Sequence, residues 1–163
     1  MYIQDTRTGE KMEVVIEPIK LKDWRAIKRD SNFTFDWAKY KEREVYKLRI
    51  LHEERIQGLM CIIDHDDEQT NAIEIELLEV GNENVGKTKK LDRIAGTLIA
   101  FACRESLKRG HEGYIFLTPK TELVDHYAAK YYLMYIGPIG NNPVGLMVGE
   151  EGVARKLIKE YLE

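Results

Sequence analysis

Several things are scarce in this chain of 163 residues. Only two residues are cysteine, Cys61 and Cys103, and each sits inside an apolar run. A disulfide framework is thereby excluded, both are read as buried free thiols, and the cytoplasm is the expected location. No apolar run reaches the length of a membrane span and none resembles a secretory leader, so no membrane association is expected. There is no block of basic residues, and the net charge is −3. Binding to nucleic acid, which needs clustered cations to neutralise phosphates, is not indicated. Of the four histidines, His52, His111 and His126 show no zinc-type spacing, and no metal is expected. Repeats, low-complexity tracts and Pro/Gly-rich linkers are missing as well. What is present is 44% hydrophobic and 33% charged residues, the balance of one globular domain spanning 1–163 with a sizeable core.

Along the chain, Lys11–Pro18 alternates apolar and polar residues and ends at a proline, as a strand does. Leu21–Arg29 is a short amphipathic helix, Ser31–Trp37 is irregular and aromatic, and a further helical turn is expected over Asp36–Lys41. Strands are expected at 44–51, 57–64 and 72–80, the last two joined by the acidic turn around Asp64–Asn71. The segment after Arg93 reads as a long helix, followed by a strand at 113–117 and a helix over about 121–131. Strands at 134–137 and 144–148 precede a final helix over 151–162. The order predicts an α/β fold with a mixed, mostly antiparallel sheet flanked by helices. It also predicts a cleft where the 72–80 strand parts from the 113–117 strand, since ligands sit at the carboxyl ends of such strands.

Between the 72–80 strand and the long helix lies Gly81-Asn82-Glu83-Asn84-Val85-Gly86-Lys87-Thr88, which fits the P-loop pattern GxxxxGK[ST] letter for letter. Its context argues against a nucleotide site. A P-loop strand is buried on both faces and continuously apolar, whereas Glu74, Glu76 and Glu79 interrupt this one. The helix should also begin at the Lys-Thr pair, yet apolar periodicity starts only near Ile94. A loop of glycines and lysines feeding a helix N-terminus still describes a cradle for a polyphosphate, because free amides and the helix dipole converge there.

At this point the chain resembles the GCN5-related N-acetyltransferase (GNAT) family. The segment RIAGTLIAFAC resembles the end of the family's coenzyme A-binding motif. Gly96 stands at its last glycine and Leu98–Ile99 at its aliphatic pair, while Ile94 replaces the other glycine and Leu91 falls at the Arg/Gln position. The block LVDHYAAKYYLMYIG resembles the family's Tyr-bearing helix and following strand, with Tyr127 at the position of the frequent general acid. Tyr131 and Tyr132 stand near the usual glycine.

The resemblance implies an acetyl-CoA-dependent N-acetyltransferase that transfers the acetyl group directly to an amine on a small molecule or peptide. A homodimer is compatible with it. Backbone groups of Leu78 and Val80 are then expected to hold the pantetheine arm. Lys89, Lys90 and Arg93, with the amides of Ile94, Ala95, Gly96 and Thr97, are expected at the pyrophosphate. Tyr127 is expected to protonate the leaving thiolate, and Glu79 to accept the amine proton. Trp24, Phe33, Phe35, Trp37 and Tyr40 fall where the family lids its acceptor site, although core packing is the first expectation for such a cluster. Two alternatives remain beside this reading: a non-catalytic acyl-CoA- or partner-binding relative, favoured by the altered glycine motif, and the P-loop nucleotide binder.

Overall fold

The computed structural model describes residues 1–163. Nine strands form one sheet: β1 (Tyr2–Asp5), β2 (Lys11–Pro18), β3 (Glu44–Ile50), β4 (Ile56–His65), β5 (Ala72–Val80), β6 (Leu91–Asp92), β7 (Ile115–Leu117), β8 (Met134–Ile136) and β9 (Leu146–Gly149). Four helices accompany them: α1 (Asp23–Arg29), α2 (Ile94–Lys108), α3 (Val124–Tyr131) and α4 (Glu151–Tyr161). The spatial order is β6-β1-β2-β3-β4-β5-β7-β9-β8. Every neighbouring pair is antiparallel except β5 with β7.

The sheet separates two cores. Strand β4 contributes to both because its run Leu59–Ile62 is apolar at every position. Met60 and Ile62 face the larger core, with Ile73, Ile75, Leu98, Ile99 and Leu157, under α2 and α4. Leu59 and Cys61 face a smaller cluster with Ile27, Phe33, Trp37 and Val45, under α1 and the irregular segment that follows it. Both cysteines are free and buried, and burial pushes both thiols up to about 12. The start of α1 is tied to the sheet by buried Lys47, whose Nζ lies 2.7 Å from Asp23 Oδ2 and 3.5 Å from Glu17 Oε1.

Two strands lie outside the sequence expectation. β1 is four residues long and β6 only two, and each is defined by its partner (Gln4 opposite Asp92, Asp5 opposite Leu91) rather than by a pattern of its own. The long helix begins at Ile94, where apolar periodicity begins.

Candidate active site

The cleft comes from two features of β5. The strand pairs with β7 only at Ile73 and Glu74, so its edge from Ile75 to Val80 has no strand partner. Within it, a register shift between Cys61 and Ile62 of β4 leaves Glu76 as an extra residue, because Leu77 and Ile75 face those two positions. Such a bulge reverses the phase of the ladder. Ile73 N donates towards β7, to Tyr114 O at 3.1 Å, whereas Gly81 N donates the other way, to Gln57 O at 3.0 Å. Counting back from Gly81 by the strand's alternation, the amides of Leu78 and Val80 point into the open cleft.

At the far end of the cleft stands the N-terminus of α2. The amide of Thr97 makes the first intrahelical bond, to Arg93 O at 2.9 Å. The amides of Ile94, Ala95 and Gly96 therefore have no helical partner, as expected of a first turn. A cavity of about 180 Å³ opens here. Val80, Asn84, Lys89, Asp92, His126 and Tyr131 are among its walls. Asn84 shapes the loop from within: its Nδ2 donates to Gln57 Oε1 at 3.1 Å, and its Oδ1 accepts from Leu91 N at 2.9 Å. Asp92 Oδ1 accepts from Arg93 N at 2.8 Å and lies 2.7 Å from Lys89 Nζ and 3.8 Å from Lys130 Nζ. Burial works to raise the pKa of this carboxyl, but Lys89, the Arg93 amide and Lys130 outweigh it and hold the group below its ordinary value. The chain thus supplies its own anion, counter-charged by two lysines, at a helix terminus that favours anions. Burial, then Lys130 and Lys89, lowers the pKa of His126, so its ring presents a neutral imidazole to this cavity.

The residues singled out from the sequence divide into those that face the cleft and those that do not. Lys89 does, as do Ile94 and Ala95, whose first-turn amides, like that of Gly96 just inside the helix, have no helical partner. Arg93 does not aim its side chain there. Its backbone turns into the left-handed region at φ 81°, and its guanidinium lies between the rings of Tyr2 and Tyr161 and donates to Tyr2 O and Glu160 O. Gly96 lets α2 approach α4: an added Cβ would stand 2.2 Å from the Tyr161 ring. Thr97 is fully buried, and both its amide and its hydroxyl bond Arg93 O, so neither is free for a ligand. Lys90 is exposed and lies 3.6 Å from Glu83.

Glu79 departs from the expected base. Its side chain turns away from the larger core into the α1-side layer and is buried. The carboxylate accepts from Trp37 Nε1 at 2.7 Å, Thr34 N at 2.8 Å, Thr34 Oγ1 at 3.0 Å and Phe35 N at 3.2 Å. Four donors occupy the lone pairs that a base would use. The group fastens the aromatic segment to the end of β5 instead. Tyr127 sits on α3 one turn ahead of Tyr131, their rings 6.0 Å apart. Burial alone raises its pKa, with no charge or hydrogen bond contributing, so the phenol keeps its proton. His126, Lys130, Asp92 and Asn84 were not singled out from the sequence as cleft residues. The one available signal was the i, i+4 spacing of His126 and Lys130, which puts them on one face of α3.

The Gly81–Thr88 match does not form a P-loop. Residues 82–84 make a turn of 3₁₀ helix, and α2 starts at Ile94, well past Lys87 and Thr88. Strand β5 runs antiparallel to β4 rather than in a parallel sheet.

This architecture is that of the GNAT acetyltransferases. No protein-family model and no curated protein matches the sequence. Solved structures do match the fold. A GNAT-family acetyltransferase from Listeria monocytogenes superposes with a TM-score of 0.60 at 14% identity, covering 92% of this chain and 99% of that one. AtaTR bound with acetyl-CoA gives 0.60 at 14%, covering 90% and 98%. A chimera of Vibrio cholerae spermidine N-acetyltransferase gives 0.58 at 12%, covering 88% and 99%.

Proposed function

We propose that this protein is an acetyl-CoA-dependent N-acetyltransferase acting by direct attack of an amine on the thioester. The observation that carries this reading is a pair of unsatisfied backbone surfaces lining one cleft. The amides of Leu78 and Val80 lie along the free edge of β5, and those of Ile94, Ala95 and Gly96 lie at the start of α2. An extended pantetheine arm pairs with the first set as an added strand does, and its amide carbonyls receive those N–H groups. The pyrophosphate meets the second set, where helix-terminal donors and the dipole favour negative charge. Lys89 and Lys130 then turn from Asp92 to the phosphates. The phenol of Tyr127 protonates the departing thiolate, a task suited to a group held neutral by burial. With Glu79 saturated, the proton of the attacking amine leaves through water.

Acetyl-CoA as cosubstrate is further supported by the AtaTR structure, which contains it. The test is a calorimetric titration with acetyl-CoA beside a parallel titration with ATP–magnesium. Micromolar acetyl-CoA affinity with no ATP heat is expected; ATP heat alone overturns the reading. A second reading, a non-catalytic binder, is favoured by Asp92 seated at the phosphate position. It predicts acyl-CoA binding without thiol release in the presence of any amine.

A further inference from the structure

A second cavity lies apart from the cavity at the start of α2. It has a volume of about 450 Å³ and sits between α1 and the segment Phe33–Lys41. That size falls within the range of small-molecule pockets. Its lining combines Trp24, Ile27, Phe33, Phe35 and Trp37 with Arg25, Lys28, Lys41 and Asp36. Three cations therefore stand around an aromatic floor against a single carboxylate. That carboxylate is itself partnered, since Lys39 Nζ lies 3.8 Å from Asp36 Oδ2.

Phe35 connects this cavity to the cleft. Its amide bonds Glu79 at the end of β5, and its ring lies 5.6 Å beneath the ammonium of Lys120, in the segment between β7 and α3. It therefore reaches from one wall of the cleft to the other. The four donors on Glu79 hold Thr34, Phe35 and Trp37 in place, so the aromatic floor is formed before any ligand arrives, and little ordering cost falls on binding.

We infer that this cavity is the acceptor pocket and that it takes a primary amine borne on an apolar or aromatic body that also carries an anionic group. The word acceptor rests on the acetyltransferase reading; the ligand chemistry rests on the cavity itself. The aromatic floor removes the apolar body from water. Arg25, Lys28 and Lys41 pair with the anionic group at the rim. The same cations repel polyamines and other polycations, which would bring like charge to the rim and little apolar surface to the floor.

The chain carries a reporter for the test, because Trp24 and Trp37 are its only tryptophans and both line the cavity. Their fluorescence is titrated with three amines: 4-(aminomethyl)benzoate, benzylamine and spermidine. The first is expected to saturate the signal at roughly threefold lower concentration than benzylamine, the worth of an ion pair at an exposed rim, and spermidine is expected not to saturate it. The double charge reversal Lys28→Glu, Lys41→Glu, at two exposed side chains, is expected to abolish the advantage of the carboxylate. Saturation by spermidine at equal or lower concentration, an absent carboxylate advantage, or a preference that survives the charge reversal overturns the inference. Calorimetry with acetyl-CoA on the same sample separates the two readings. A benzoate response without acetyl-CoA heat upholds the pocket and removes the acetyltransferase. Acetyl-CoA heat without any benzoate response removes the pocket alone.

Discussion

Two carboxylates flank the same cleft and do opposite things. Glu79, at the end of β5, is buried and accepts from four protein donors drawn from the 34–37 segment. Asp92, at the start of α2, has a side chain 40% exposed and is held by one amide and two lysines. A carboxylate saturated by rigid donors belongs to the framework, since removing it strands every donor at once. A carboxylate held by mobile ammonium groups can exchange partners with an arriving anion at small cost. The difference separates the part of the cleft that is built from the part that is ready to respond.

The comparison breaks most sharply at Glu79. Glu79→Ala leaves four donors without an acceptor, the buried Trp37 Nε1 among them, and should cost about 3 kcal/mol of stability, read as a lowered urea midpoint. A shift of less than about 0.5 kcal/mol would return the residue to the pool of exposed groups, and with it the role of base. Next in size is Tyr127→Phe, expected to lower kcat about 100-fold at an unchanged urea midpoint. Undiminished turnover removes the phenol as the acid. Asp92→Asn should act in the opposite sense on binding. With the resident anion neutralised, acetyl-CoA binds about fivefold tighter, or about 1 kcal/mol; weaker binding would mean that Asp92 chiefly positions Lys89 and Lys130.

The smallest expected effect concerns pH. In the free protein the His126 pKa lies below its ordinary value. A bound polyphosphate raises it, so binding takes up protons and affinity grows as pH falls from 8 towards 6. His126→Gln should flatten that slope, by less than tenfold in Kd across the range. An unchanged slope would place the titrating group elsewhere.

The residues made legible in the sequence are those whose signal is local. The Glu74 and Glu76 interruptions mark a strand with one part-exposed face, and the structure pairs Glu74 with His65 and Glu76 with Arg43 there, whereas Glu79 on the same side is buried. The start of α2 at Ile94 follows from apolar periodicity, and the same observation disposes of the P-loop match six residues earlier in the chain. What escaped depends on partners far away along the chain. Nothing near Glu79 announces donors 42 to 45 residues earlier. Nothing near Arg93 announces a carbonyl at Glu160, 67 residues later, and nothing near Gly96 announces the Tyr161 ring that requires a glycine there. The bulge that aims the Leu78 and Val80 amides is a property of two strands together and has no signature in either alone.

The central claim is that two sets of backbone amides, on β5 and at the start of α2, form one acetyl-CoA site. It is tested most directly by amide hydrogen exchange, resolved residue by residue by NMR, with and without acetyl-CoA. The account predicts that exchange slows at Leu78, Val80, Ile94, Ala95 and Gly96 together, while Lys87 and Thr88 are unaffected. Protection confined to Lys87 and Thr88, or none at Leu78 and Val80, would contradict it.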